Sequence, residues 1–105
     1  MHANVTTWRL ATSVQSDEAY AAFISELLEQ VLPLGRALGL LDAIIVRVGS
    51  DRIMAINLYE DAGNAESAWE RASRKIQEHY GDSLEFIDRI VGPANDMPQL
   101  TGRGA

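Results

Sequence analysis

The chain has 105 residues, no cysteine, and fifteen acidic against nine basic residues, a formal charge of −6. The missing cysteine excludes a disulfide framework, an iron–sulfur cluster and a thiolate nucleophile, and the acidic balance argues against nucleic acid as a partner. The length suits one domain with its own core. No apolar run approaches the roughly 20 residues of a membrane span, and no signal-peptide pattern opens the sequence, so a cytoplasmic protein with no membrane contact is expected.

In chain order, Val5 to Thr12 reads as a first strand rich in β-branched and aromatic residues. Thr6, Trp8 and Leu10 share one side, and Val5, Thr7, Arg9 and Ala11 the other. Ser16 is a good N-cap, and Asp17 and Glu18 follow where a helix dipole favours negative charge. Tyr20, Phe23, Ile24, Leu27, Leu28, Val31 and Leu34 then recur at helical spacing. Pro33 predicts a kink or turn late in this helix, and Gly39 its end.

Ala43 to Tyr59, AIIVRVGSDRIMAINLY, holds two apolar runs about a polar turn and predicts a β-hairpin. With Ser50 and Asp51 as the loop, Val48 faces Ile53, Val46 faces Ala55 and Ile44 faces Asn57, sharing a face with Tyr59. Both faces are largely apolar, whereas an antiparallel sheet with one wet face alternates apolar and polar residues. Something must cover each side.

A second helix is expected from a cap at Gly63 or Asn64 to about Tyr80, with Ala65, Ala68, Trp69, Ala72, Ile76 and Tyr80 on its apolar stripe. Phe86 to Val91 predicts a fourth strand, interrupted by Asp88 and Arg89. The expected order is therefore βαββαβ, an α+β ferredoxin-like domain over residues 1–92: a four-stranded antiparallel sheet with two helices on one face. Residues 93–105 form a polar tail, disordered or packed on a partner subunit. Helices on one side leave the other side of the sheet apolar. A second copy packed there on a two-fold axis would cover it, so a homodimer through the open sheet face is expected.

The element order, the ELLEQVLPLGRALG stretch ending the first helix, and AINLYED leading from the third strand into the second helix are similar to the dimeric α/β-barrel superfamily. The chain most resembles its antibiotic-biosynthesis-monooxygenase-like branch. That resemblance implies a cofactor-independent monooxygenase acting on an aromatic, polyketide-like or quinol-like molecule, held in a pocket between sheet and helices. No cofactor and no metal are then required, because an electron-rich substrate can itself react with oxygen. Asn57, Tyr59, Trp69 and His79 are the candidate catalytic residues, and Trp8, Leu10, Ile44, Val46 and Ala55 the candidate pocket lining. Asn57 and Tyr59 can hydrogen-bond a substrate oxygen or an enolate; the alternative is an Asn satisfied across the dimer or by buried water.

Two further readings stay open. One is a non-catalytic ligand-binding or structural dimer whose interior is filled by its own side chains. The other is a haem-binding or haem-degrading protein, since haem-degrading relatives resemble one another in an Asn, Trp and His set, with Trp and His about ten residues apart, as Trp69 and His79 are. Those relatives' Asn lies within the first strand, where this chain has only Asn4 at the strand's start, with Trp8 in the corresponding place. Against a haem role, Trp69 reads equally as core and His79 as a residue near a helix end. Hydrolase, nucleotide-binding and zinc motifs are absent.

Overall fold

The computed structural model describes residues 1–95. Four strands, β1 (His2–Leu10), β2 (Leu40–Arg47), β3 (Arg52–Tyr59) and β4 (Leu84–Pro93), and two helices, α1 (Asp17–Ala37) and α2 (Ala62–Tyr80), follow in the order β1-α1-β2-β3-α2-β4. The strands make one sheet in the order β2-β3-β1-β4, with every neighbouring pair antiparallel. This is the ferredoxin-like arrangement expected from the element order.

Local chemistry sets the element ends. Ser16 caps α1, its Oγ accepting from the Ala19 amide at 3.2 Å, with Asp17 and Glu18 in the first turn. The helix runs on through Pro33 to Ala37. One amide donor is lost so near the C-terminus that the last turn survives. Gly39, at φ 83°, then turns the chain into β2, a backbone conformation suited to glycine. The cap of α2 is Asp61 rather than Gly63 or Asn64: its Oδ1 accepts from the Asn64 amide at 2.8 Å. A carboxylate in that position satisfies a free amide and matches the helix dipole together.

The first and last strands also differ from expectation. β1 begins earlier and ends at Leu10, and Thr12 falls in a 3₁₀ turn, Thr12–Val14. β4 extends to Pro93, and the Ala94 amide still donates to the Met1 carbonyl at 2.9 Å. From residue 96 on, the tail lies outside the described residues. A bulge opposite Thr7 and Trp8 makes Ile87 the extra residue, so Leu84 and Phe86 below it share a side with Arg89 above it.

The hairpin register requires a correction. Arg47 pairs with Ile53 and Ile45 with Ala55, so Ile44 stands opposite Ile56 and Val46 opposite Met54, one residue away from the expected pairing. The turn is longer than two residues: the Val48 amide donates to the Arg52 carbonyl at 3.0 Å. The Arg47 guanidinium braces it by donating to the carbonyls of Gly49 at 3.3 Å and Ser50 at 2.9 Å. Because side chains alternate, a slip of one residue moves Ile44 and Val46 to the face away from Asn57 and Tyr59.

The helix side of the sheet carries the core. Trp8, Leu10, Phe23, Leu27, Ile53, Ile76 and Leu84 form its main cluster, and Tyr59, Ala65 and Ala68 a second one. On β1 the buried residues are Asn4, Thr6, Trp8 and Leu10, which settles which side of that strand meets the helices. The opposite face is open. Ile44 is 49% exposed, Val46 42% and Ile90 65%, and Met54, Ile56 and Leu58 lie between them in register.

Candidate functional site

A cavity of about 370 Å³ lies between the helix side of the sheet and the two helices. Asn4, Thr6 and Trp8 line it from β1, Ala43 and Ile45 from β2, and Ala55, Asn57 and Tyr59 from β3. The apolar stripe of α1, from Tyr20 through Leu27 to Val31, forms one wall, while Ala68, Trp69 and Ala72 of α2 form the other. Alanines at 55, 68 and 72 leave space that larger apolar residues would fill. Such a concave, mostly apolar site with a few convergent polar groups is the usual form of a small-molecule pocket.

Gly35 brings α1 close to the end of this cavity. A Cβ there would stand 3.0 Å from Leu40 Cδ2 and 3.3 Å from the Tyr59 hydroxyl oxygen. Glycine thus permits the close approach that buries Tyr59 beneath the helix. Burial raises the Tyr59 pKa above the ordinary tyrosine value of 10.0, so at neutral pH Tyr59 is a hydrogen-bond donor and not a base. Neither its hydroxyl nor the Asn57 amide makes a hydrogen bond to another described residue, and no fully buried polar side-chain atom among the described residues lacks a partner. Both groups therefore turn to the cavity.

At the β1–β4 end, polar groups are tightly coupled. Asn4, 2% exposed, accepts through Oδ1 from Arg89 Nε at 2.7 Å. The two terminal nitrogens of Arg89 donate to Glu66 on α2, Nη1 to Oε1 at 3.2 Å and Nη2 to Oε2. Hydrogen bonding to Arg89 is the main cause that holds the Glu66 carboxyl below its ordinary pKa; desolvation opposes it and the nearby charges of Arg89 and His2 add to it. The Arg89 guanidinium also lies 5.0 Å from the Trp69 ring centre. Trp69 in turn packs at 5.9 Å from Trp8 and 5.3 Å from Phe86. Trp8 donates from Nε1 to Thr6 Oγ1 at 2.8 Å, so its indole N–H is satisfied within the core.

Arg47 marks the other end. Its guanidinium lies 4.5 Å from the Tyr20 ring centre, donates to the Gln15 carbonyl, and pairs with Asp17 at 3.6 Å. These contacts tie the hairpin turn to the start of α1. Arg9 instead pairs with Glu85 at 3.4 Å on the open surface.

Of the residues singled out in the sequence, Trp8, Ala55, Asn57, Tyr59 and Trp69 come together around this cavity. Leu10 is buried in the adjoining core without lining it. Ile44 and Val46 lie on the opposite face of the sheet, a consequence of the register slip. His79 is exposed near the end of α2, against Tyr80, and does not line the cavity. Ten residues along one uninterrupted helix advance about 15 Å and turn roughly 80° out of line, which separates His79 from Trp69.

The lining does not fit haem. It holds no imidazole, thiolate or thioether, and its two tyrosines, Tyr20 and Tyr59, are held protonated by burial, Arg47 opposing that effect only in part at Tyr20. No group of three or more metal-ligating side chains occurs among the described residues.

Asn4, Thr6, Tyr20 and Arg89 are site residues that sequence reasoning left out. Asn4 belongs to the Thr6, Trp8 and Leu10 side of β1, and strand alternation alone would have found it. Arg89 joins Asn4 across 85 positions of sequence, and no local signal reports that contact.

Comparison with known structures agrees with this architecture. HapK from Hahella chejuensis superposes with a TM-score of 0.65 at 11% identity, covering 92% of this chain and 95% of that one. A provisionally assigned antibiotic biosynthesis monooxygenase from Nitrosomonas europaea gives 0.62 at 14% identity, covering 90% and 98%. A dimeric ferredoxin-like protein from an uncultured marine organism gives 0.59 at 13% identity, covering 92% and 97%. The chain shares the ferredoxin-like fold of these proteins. Antibiotic-biosynthesis-monooxygenase-like and dimeric ferredoxin-like proteins are thus its structural neighbours over most of its length. No protein-family model matches the chain, and no curated protein matches it in sequence. Identities this low speak for the fold, which hosts many functions, and leave the activity to the site itself. No helix among the described residues is long and apolar enough to cross a membrane.

Proposed function

We propose that this protein binds an aromatic or polyketide/quinol-like small molecule in the cavity between sheet and helices and acts on it as a cofactor-independent monooxygenase. The observation that carries the reading is the cavity itself: about 370 Å³, walled by aliphatic and indole side chains, with Asn57 and Tyr59 turned into it. The aromatic walls suit a flat ring system. The Tyr59 hydroxyl and Asn57 amide suit an oxygen on its edge, where they would stabilise negative charge as it develops. In the balanced reaction a ring CH₂ becomes C=O: dioxygen supplies the inserted atom, and its second atom leaves as water with the two hydrogens and two electrons of the substrate.

The lining carries no carboxylate and no imidazole, and its tyrosines are protonated. A substrate must therefore ionise by its own acidity, assisted by hydrogen bonds alone. The same observation favours a second reading, a non-catalytic binder of the same class of molecule. In either reading the protein acts as a homodimer through the open sheet face. The apolar exposure of Ile44, Val46 and Ile90 supports this, as does the description of two structural neighbours as dimeric.

The test is to add anthrone, whose central ring carries the CH₂ activated by an enolisable carbonyl, and to follow Trp8 and Trp69 fluorescence together with oxygen uptake and the appearance of anthraquinone. Saturable quenching with oxygen uptake above the uncatalysed rate supports the oxygenase. Quenching without uptake supports the binder. The absence of both signals would refute a ligand role for the cavity.

A further inference from the structure

We propose that Arg89 is a positioning residue that fixes Asn4 as a hydrogen-bond donor to the cavity, selecting ligands that present an anionic, phenolate- or enolate-type oxygen. The inference rests on the reading of the cavity as a ligand site. An arginine Nε–H can only donate, so the Asn4 atom it meets at 2.7 Å is the carbonyl oxygen. With that oxygen taken, the amide NH₂ remains, and it has no acceptor among the described residues although Asn4 is 2% exposed and lines the cavity. Thr6 repeats the pattern: its Oγ1 accepts from the Trp8 indole at 2.8 Å, which leaves the hydroxyl proton to donate. Tyr59 supplies another O–H.

The polar groups along β1 and its neighbours are thereby biased in one direction. Asn4 has only hydrogens left to offer, Thr6 and Tyr59 each bring an O–H, and Asn57 is the amide that can present a carbonyl as well as an NH₂. A neutral amine or amide N–H would find few acceptors there, whereas an oxygen carrying negative charge would be met on several sides.

Arg89 is suited to this task and lysine is not. Three of its nitrogens are used together: Nε on Asn4, and Nη1 and Nη2 on the two oxygens of Glu66. The planar fork holds that geometry as a unit, while an ammonium is a single point charge. Glu66 sits on α2 just past its first turn, so α2, β4 and β1 are tied together by one side chain.

The experiment compares naphthalene, which has the ring system alone, with 2-hydroxy-1,4-naphthoquinone, which carries an enolate oxygen at neutral pH. Calorimetric titration is performed on the wild type, Asn4→Asp and Arg89→Lys, with circular dichroism to confirm folding. In the wild type the hydroxyquinone is expected to bind about tenfold or more tightly than naphthalene, the effect of one charge-assisted hydrogen bond. Asn4→Asp replaces the donor with a carboxylate and is expected to abolish that preference. Arg89→Lys is expected to reduce it severalfold, the preference being read in each variant as the ratio of the two affinities, so that a change common to both compounds does not count. If naphthalene binds and the preference survives in both variants, the role of Arg89 and Asn4 is wrong while the cavity reading stands. If neither compound binds the wild type, the cavity reading fails and this inference with it. An Asn4→Ala variant that folds and loses the preference as Asn4→Asp does would support the proposal even if the carboxylate variant were unfolded.

Discussion

The two faces of the sheet differ in a way that separates two tasks. The helix side is covered, yet it places Asn4, Thr6, Asn57 and Tyr59 among its apolar residues. The open side carries apolar residues in the light, with Val46 42% and Ile90 65% exposed. Polar groups inside and apolar groups outside invert the ordinary distribution. A buried polar residue costs stability unless paired, and an exposed apolar patch invites association. Each exception points to something that meets it: a ligand within and a second copy without.

Paired substitutions break this comparison most sharply. Ile53, 1% exposed on the helix side, and Val46 on the open side are both β-branched strand residues. Ile53→Asp is expected to unfold the protein, because a carboxylate there has no partner and no water. Val46→Asp is expected to leave a folded monomer by light scattering and circular dichroism. A Val46→Asp protein that remains a dimer of unchanged stability would show that the open face is not the interface.

Milder truncations sharpen the same contrast. Ile53→Ala is expected to cost about 2–5 kcal/mol in urea unfolding. On the open face, Ile44→Ala, read in the monomeric Val46→Asp background, is expected to stay within about 0.5 kcal/mol. Equal costs on the two faces would erase the distinction between core and interface.

Within the cavity, Tyr59→Phe is expected to weaken binding of hydroxynaphthoquinone at least about three- to tenfold relative to naphthalene, the loss of one hydrogen bond to a ligand oxygen. Its pH behaviour is a separate check. Burial raises the Tyr59 pKa above 10.0, so the unfolded chain ionises first and stability falls as pH rises beyond about 10. Tyr20 and Tyr80 shift in the same direction. Tyr59→Phe should therefore flatten, without abolishing, the loss of stability between about pH 9.5 and 11. An unchanged slope would mean that Tyr59 is not desolvated.

The smallest effect belongs to Glu66. Arg89 lowers its pKa below the ordinary 4.5, so the pairing stabilises the fold above that value and is lost as pH falls through the lowered one. The Glu66 side chain is 59% exposed, and water screens the pair. Glu66→Gln should alter the acid limb of unfolding only slightly. A large acid-side loss would show the pair to be more buried than its exposure indicates.

The fold was legible because its signals are local and periodic. Ser16 with Asp17 and Glu18 announces α1, Gly39 ends it, and alternation marks β2 and β3. The register was not legible. AIIVRV and IMAINLY are apolar on both faces, so the hydrophobic pattern cannot distinguish one pairing from its neighbour. The longer turn that decides the matter is held by Arg47, which donates to backbone carbonyls of the turn and of Gln15, 32 positions away. This is why Asn57, Tyr59 and Ala55 were recognisable as one face of β3 while Ile44 and Val46 were assigned to it wrongly. Arg89 was hidden for a related reason. Beside Asp88 it resembles a break in an apolar strand, and only the bulge at Ile87 and the fold bring it over Trp69 and onto Asn4.

The most direct measurement is a calorimetric titration of naphthalene into the wild type and into Ala55→Phe, which places a ring in the cavity from the middle of β3. The expected result is one site per protomer in the wild type and none in Ala55→Phe, with the fold retained in both. Binding of equal strength and stoichiometry to the filled variant would place the ligand elsewhere and contradict the division of tasks between the two faces.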